Sequence, residues 1–279
     1  MKVVLSQYAG ACYGVQRALD MAFHLIDTAA PAVTFGPIIH NPQVVKELEE
    51  KGVRAVSDLS EVRAHEAVIV RSHGVTPQVR AEIEQHGFEL VDATCPFVAR
   101  AQSSAAGLAQ GGKTVIVLGE EGHPEVQGMT AYILQAGGTP LVLANAQELP
   151  SVLPDEVGLV SQTTQIQANY EALLRALREK GVRVSEKCTI CTATEQRQAA
   201  AAQLSSQVDA MIIIGGRNSS NTTRLYEICK TICPASYHIE AASEIDPRWF
   251  DGVQTVGVTA GASTPERHIQ ELVALLEQL

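Results

Sequence analysis

Short apolar runs that end in polar turns alternate along the chain with stretches of helical periodicity, and the whole alternation is written three times. Each repeat opens with a β-type run that leads through a turn to a cysteine and then to a helix: VVLSQYAGAC before Tyr13, FELVDATC before Pro96 and VRVSEKCTIC before Thr192. In the first of these helices Val15, Ala18, Leu19, Ala22, Leu25 and Ile26 share one helical face. Cys12, Cys95 and Cys191 therefore each stand at a strand-to-helix junction. A second strand follows in every repeat and ends in a turn rich in Gly, Pro, His or Ser: VTFGPIIHNP, TVIVLGEEGHPE and MIIIGGRNSSN. A third short strand comes next (VRAV, PLVL, SYHI), then a fourth with its own polar turn (AVIVRSHGVTP, VGLVSQTTQ, TVGVTAGASTP). The closing PERHIQELVALLEQL predicts a C-terminal helix with Thr264 as N-cap, Pro265 in the first helical position and Ile269, Leu272, Val273 and Leu276 as its apolar stripe.

Strands that alternate with helices pair in parallel through βαβ crossovers. The predicted fold is α/β: three similar small units at 1–87, 88–181 and 182–279, each with a mainly parallel four-stranded sheet, arranged around a pseudo-threefold axis. In open α/β sheets ligands bind beyond the carboxyl ends of the strands. That rule places the polar turns on one edge of their sheets, and a threefold packing with those edges inward brings the three cysteines together within a ring of His, Thr, Ser and Asn.

Composition narrows the function. With 279 residues the chain can bury a substantial core without disulfides, and a content of 46% hydrophobic but only 4% aromatic residues fits a compact α/β protein built from small aliphatics. A formal net charge of −10 argues against nucleic acid or an anionic membrane as partner, since both need clustered Lys and Arg. MKVVLSQYAG lacks the apolar core of a signal peptide, and no apolar run is long enough to span a bilayer. A cytoplasmic setting follows as the expectation, and there the six cysteines serve metal binding or catalysis more readily than disulfides.

Three thiolates at equivalent positions can hold three irons of a four-iron, four-sulfur cluster and leave the fourth iron open for substrate. A lone cysteine at any one of these positions would be read as a small buried hydrophobe; the threefold repetition reverses that reading. Cys188 with Cys191 and Cys229 with Cys233 could instead be halves of a structural zinc site. The spacing fits poorly, because Cys229 lies in the helical stretch TTRLYEICK, and Cys188, Cys229 and Cys233 are read as packing residues.

Of eight histidines, His40, His73 and His123 end apolar strands beside Gly or Pro. Imidazole donors in matching turns suit a phosphate and can pass protons near neutrality. GGRNSSNTTRL sets Ser219, Ser220 and Asn221 at a strand-to-helix turn, where free backbone N–H groups and the helix dipole favour anions; plain helix capping would use only one of them. Ser263 offers a hydroxyl at an equivalent helix start. With almost no Lys or Arg nearby, these donors indicate an enclosed diphosphate site. Glu125, two residues beyond His123, is placed to donate a proton, or else supplies negative charge to a first helical turn. Thr163 and Thr164 can orient the same hydroxyl or cap the next helix.

Taken together, GACYGVQRAL, GPIIHNP, RSHGV, DATCPFV, EEGHPEV, SQTT, TICTATEQRQ, GGRNSSNT and TAGAS resemble, in order and over essentially the whole chain, the hydroxymethylbutenyl diphosphate reductases of the IspH/LytB family. The resemblance implies one 4Fe-4S cluster per chain with Cys12, Cys95 and Cys191 as ligands and one open iron. It implies a diphosphate surrounded by His40, His73, His123, Ser219, Ser220, Asn221 and Ser263. Glu125, with Thr163 or Thr164, would handle the substrate hydroxyl and its proton. The implied activity is a two-electron reductive dehydroxylation of 4-hydroxy-3-methylbut-2-enyl diphosphate, giving isopentenyl and dimethylallyl diphosphate in the last step of the non-mevalonate isoprenoid pathway. A ferredoxin or flavodoxin is the implied electron donor, and a monomer or weak homodimer the expected assembly. A non-redox, metal-stabilised phosphometabolite-binding protein is the alternative from another class, and it would be colourless. A redox-inert paralogue keeping only the fold sits badly with the complete set of site residues.

Overall fold

In the computed structural model, which describes residues Met1–Leu279, the chain runs β1 (Lys2–Leu5), α1 (Tyr13–Asp27), β2 (Ala32–Phe35), α2 (Pro42–Glu50), β3 (Arg54–Val56), β4 (Ala67–Val70), α3 (Pro77–Gln85) and β5 (Leu90–Asp92). It continues through α4 (Pro96–Ala109), β6 (Thr114–Leu118), α5 (Pro124–Gln135), β7 (Thr139–Leu143), β8 (Glu156–Ser161), α6 (Gln167–Glu179) and β9 (Arg183–Lys187). The last part is α7 (Thr192–Ser205), β10 (Ala210–Ile214), α8 (Ser220–Ile232), β11 (Ser236–Ile239), β12 (Thr255–Ala260) and α9 (Glu266–Leu276). Every apolar run singled out in the sequence forms a strand, and each cysteine-led stretch forms a helix.

The strands make three four-stranded sheets, ordered β3-β2-β4-β5, β7-β6-β8-β9 and β1-β12-β10-β11, with every ladder parallel. The α/β class and the three similar sheets are as the repeat implied. Sheet membership, however, is shifted by one strand against the sequence repeat. The strand that opens a repeat completes the sheet of the repeat before it: β5 pairs with β4, β9 with β8, and β1, from the amino terminus, with β12. Crossover geometry explains the shift. Parallel neighbours need a connection of a dozen or so residues, which α3 supplies between β4 and β5 and α6 between β8 and β9. The helices that follow the cysteines, α1, α4 and α7, lead instead from one sheet to the next.

The chain forms two compact units, one of Met1–Gln16, His40–Val44 and Thr192–Leu279, the other of Arg17–Ile39 and Val45–Cys191. The first contains the β1-β12-β10-β11 sheet. Ile212, Ile214, Val256 and Val258 on one face pack against Ile269, Leu272 and Leu276 of α9, while Met211 and Ile213 on the other meet Ala201, Leu204 and Leu225. The second unit contains the other two sheets. Around β6 and β8, Ile116, Leu118, Val157 and Leu159 cover Leu173 and Leu177 of α6, and on the opposite face Val115, Val117 and Val160 meet Ala101 and Ala105 of α4 and Met129 and Ile133 of α5. Burial on both faces is why the central strands read as continuous apolar runs, AVIV, TVIVL and AMIII, with no polar alternation.

Two sequence readings are corrected. The final helix begins at Glu266 with Pro265 in the N-cap position, and Thr264 does not cap it, because its hydroxyl donates to the Ile214 carbonyl at 3.1 Å. Cys188 is exposed and not a packing residue: it follows β9, an edge strand, and its thiol reaches the Gln167 side chain at the start of α6, at 3.7 Å; Cys229 and Cys233 are buried as expected.

The core assignment makes a prediction for stability. Leu173 is fully buried against its sheet whereas Leu134 is 60% exposed. In urea titrations Leu173→Ala should lose about 2–5 kcal/mol, while Leu134→Ala should stay within about 0.5 kcal/mol of the parent; equal losses would refute this packing.

Candidate active site

Each of the three cysteines at the junctions is fixed through its own backbone. Cys12 N–H donates to Ala262 O at 3.0 Å, Cys95 N–H to Ser72 O at 2.9 Å and Cys191 N–H to Thr163 O at 3.1 Å. The acceptors lie in the polar turns after β12, β4 and β8, the fourth strand of each repeat, so one hydrogen bond recurs three times in equivalent places. All three thiols are partly exposed and none is in a disulfide. Cys229 differs: buried with Met211, Ile213 and Leu225, its thiol is pushed up to about 11 by desolvation, which disfavours the thiolate that a metal needs. That argues against a zinc site built on Cys229 and Cys233.

In the first unit three polar turns are cross-linked. The Ser263 hydroxyl donates to His40 O at 3.1 Å, and Asn41 Nδ2 returns a bond to Ser263 O at 2.9 Å. Asn41 Oδ1 accepts from the N–H groups of Gln43 and Val44 at 3.1 and 3.2 Å, capping α2. Gly216 lies so close that a Cβ there would stand 2.6 Å from His40 O, so only glycine lets these turns meet. Asn221 Oδ1 accepts from Ala262 N–H at 2.9 Å, in the turn that also holds Cys12. Its Nδ2 has no hydrogen-bond partner although the residue is 3% exposed. A buried donor left unmade costs about 1–3 kcal/mol, so this one is available to an acceptor from outside the chain. Ser219 caps α8, its Oγ accepting from Thr222 N–H at 3.4 Å, which is the capping alternative that the sequence offered for this turn.

The second unit carries His73, His123, Glu125, Thr163 and Thr164. His73 and His123 meet edge to face, ring centres 5.6 Å apart. His123 also caps α5: its Nδ1 accepts from Glu125 N–H at 3.1 Å. That bond requires an unprotonated Nδ1, so the neutral ring carries its proton on Nε2 as a donor. Gly74, at φ +71°, packs where a Cβ would fall 2.7 Å from Gln102 Nε2, which holds the turn after His73 against α4.

Glu125 is 2% exposed. Thr163 grips both its oxygens, the backbone N–H at 2.6 Å and the hydroxyl at 2.9 Å. Desolvation outweighs these bonds and, with help from the nearby Glu120 charge, lifts the carboxyl from its ordinary 4.5 to about 7. The two threonines thereby separate: Thr163 is bound to Glu125, while the buried Thr164 hydroxyl has no partner in the protein.

Sequence reasoning missed Asn41, although Asn directly before Pro at a helix start is a capping signature. It also missed Thr189, whose side chain and backbone bond Ser161 and so tie the stretch leading to Cys191 to the end of β8.

Comparison with known proteins places these features in company. A family model described as LytB protein matches residues 3–277. A 4-hydroxy-3-methylbut-2-enyl diphosphate reductase of Geotalea uraniireducens is 46% identical over 282 residues, covering 100% of this chain and 98% of the relative. One of the same name from Trichlorobacter lovleyi is 47% identical over 279 residues, covering 100% and 99%. Among solved structures, that of an (E)-4-hydroxy-3-methyl-but-2-enyl diphosphate reductase, described as the terminal enzyme of the non-mevalonate pathway, superposes with a TM-score of 0.73 at 38% identity over 100% of both chains. The E-1-hydroxy-2-methyl-but-2-enyl-4-diphosphate reductase of Plasmodium falciparum superposes with a TM-score of 0.90 at 26% identity, covering 99% of this chain and 87% of that one.

Glu125 makes stability depend on pH in a direction that can be worked out. Its folded value, about 7, lies above its ordinary 4.5. Between these values the folded state binds the proton that the unfolded state has released, so stability falls as pH rises from about 4.5 to 7. Glu125→Gln should flatten that limb, a change of about 3 kcal/mol across it, measured by denaturant titration at each pH in metal-free protein. Thr163→Val removes a bond that favours the charged carboxylate and should raise the Glu125 value further by carboxyl NMR titration; a lowered value would contradict this account.

Proposed function

The chain belongs to the LytB family, and on that premise we propose that it is an iron-sulfur oxidoreductase that reduces 4-hydroxy-3-methylbut-2-enyl diphosphate to isopentenyl and dimethylallyl diphosphate. The reaction takes up two electrons and two protons and releases the hydroxyl as water. The observation that carries the reading is Glu125, a fully buried carboxyl poised near neutrality by burial and gripped by Thr163. A proton donor of that kind is what a departing hydroxyl needs.

The residues present fit a 4Fe-4S cluster: three thiols, partly exposed and in no disulfide, each presented by the same backbone hydrogen bond at the same point of the repeat. Cys12, Cys95 and Cys191 would hold it, leaving one iron open. A bound cluster supplies a Lewis-acidic iron and two electrons delivered singly.

The chain's own residues do the rest. Burial lets the Glu125 carboxyl keep a proton at far higher pH than an ordinary carboxyl, and Thr163 keeps that carboxyl in one orientation. The unpartnered Thr164 hydroxyl is available to the substrate oxygen. Asn221 Nδ2, the Nε2–H of His123 and the start of α8 at Ser219 and Ser220 would bind the diphosphate, together with His40 and His73. Ser263, whose hydroxyl is bonded to His40 O, would act chiefly by holding that turn. Neutral donors let the diphosphate be bound without bringing Lys or Arg charges beside Glu125, which would lower its affinity for the proton. A ferredoxin or flavodoxin as electron donor, a monomer or weak homodimer, three repeats at 1–87, 88–181 and 182–279 around a pseudo-threefold axis, and a cytoplasmic setting complete the proposal. Six cysteines with no disulfide among them suit a reducing compartment, and no helix is long and apolar enough to cross a membrane.

Glu125→Gln keeps shape and hydrogen bonding but carries no ionisable proton. With a chemical reductant in place of the protein donor, turnover should fall about 100-fold or more, the scale of general acid catalysis, while substrate affinity survives. Asn221→Ala should instead weaken binding of substrate and of inorganic diphosphate alike, by about 1–3 kcal/mol. Turnover of the Gln variant within a fewfold of the parent would remove Glu125 from the mechanism.

A further inference from the structure

Two arginines outside the residues assigned so far hold the turns that present the cysteines. Arg197, on α7, is 4% exposed. Its Nη2 donates to Gly10 O at 2.7 Å and its Nη1 to Ala193 O at 3.0 Å. Gly10 sits in the left-handed region at φ +102°, two residues before Cys12, and Ala193 lies in the first turn of α7, two residues after Cys191. One guanidinium therefore bonds the loop that leads into Cys12 and the helix start that follows Cys191.

Arg17, on α1, does the same for the remaining cysteine. Its Nη1 donates to Thr94 O and its Nη2 to Asp92 O, both at 3.2 Å. The Asp92 carboxylate closes the same turn from the other side, accepting from Thr94 N–H at 3.0 Å while it pairs with Arg80. Thr94 is the residue before Cys95. The two arginines occupy related places, each within the second turn of a helix opened by a cysteine.

The chemistry suits Arg and not Lys. A guanidinium is a planar fork whose N–H groups diverge at fixed angles, so it can hold two carbonyls in one geometry, whereas an ammonium is a compact charge on a flexible stem. Burying so large a cation is costly unless its donors are bonded. Here two of the bonds from each guanidinium go to backbone carbonyls one to three residues from a junction cysteine.

We propose that Arg17 and Arg197 are positioning residues for the metal centre, fixing the three cysteine turns in the geometry that retains the cluster. The inference rests on the iron-sulfur reading above. Groups that orient metal ligands from behind typically change metal affinity 10- to 100-fold when removed. The test uses anaerobically assembled holoprotein as parent, Arg17→Met, Arg197→Met and Arg197→Lys, with Leu225→Ala as a variant that disturbs the core of the first unit without touching a cysteine turn. Iron release to a chelator should be at least tenfold faster in all three arginine variants, the Lys change failing to rescue, and the paramagnetic resonance spectrum of the reduced protein should shift. Leu225→Ala should unfold more easily yet release iron at the parent's rate with an unaltered spectrum. Parental release rates and spectra in the arginine variants would overturn the inference, as would Arg197→Lys behaving as the parent, or Leu225→Ala releasing iron as fast as they do. If Arg197→Met does not fold, Arg17→Met and Arg197→Lys decide the matter. A parent that binds no iron would count against the iron-sulfur reading itself, a different failure from an iron-bearing parent that the substitutions leave unchanged.

Discussion

A backbone N–H of a cysteine bonded to a carbonyl in the turn of a neighbouring strand is the contact on which the site depends, and it occurs three times: Cys12 to Ala262, Cys95 to Ser72 and Cys191 to Thr163. Each bond joins two kinds of loop, the one where the chain leaves an edge strand for the next sheet and the one where a central strand ends in polar residues. Parallel pairing makes this possible, because it puts both loops at the carboxyl ends of adjacent strands. The thiol and the polar turn thus come as a set. The turn that holds Cys12 also receives Asn221, and the turn that holds Cys191 also grips Glu125.

Burial then decides the chemistry of that polar edge. Glu125 is taken out of water without a cationic partner, so its proton is retained up to neutrality, while Asn221 Nδ2 and Thr164 Oγ1 are left with hydrogen-bonding capacity that the protein does not use. Both features lower the stability of the folded chain near neutral pH, and both suit an anionic, hydroxylated ligand. Glycine at 216 belongs to the same close packing, since a side chain there would push apart turns that touch, and glycine at 74 lets its turn lie against Gln102 of α4.

Much of this was legible in the sequence because it depends on local pattern. Doubly buried strands read as apolar runs, and Cys, His and the SSN triplet fall at strand ends where the parallel-sheet rule puts ligands. Sheet membership was not legible: VVL at the amino terminus looks like the first strand of its own repeat, and only long-range pairing with β12 shows otherwise. Thr189 and Arg197 were missed for a related reason, as their partners are remote in sequence or belong to backbone, which leaves no mark in residue type; Asn41 did carry a mark, the Asn-Pro step that caps α2. Cys188 was misread because residue type alone does not tell an edge strand from a central one, and it is the edge position of β9 that exposes it. The roles of Thr163 and Thr164, adjacent and chemically identical, needed the bond to Glu125 to tell them apart.

Whether the three junction cysteines hold an iron-sulfur cluster is decided by metal and sulfide analysis of anaerobically purified protein. The protein should be brown, with about four irons and about four sulfides per chain, lost in Cys12→Ser, Cys95→Ser and Cys191→Ser but kept in Cys233→Ser, whose parent residue is buried in the core. A colourless protein with stoichiometric zinc, or iron that survives replacement of any of the three junction cysteines, would contradict it.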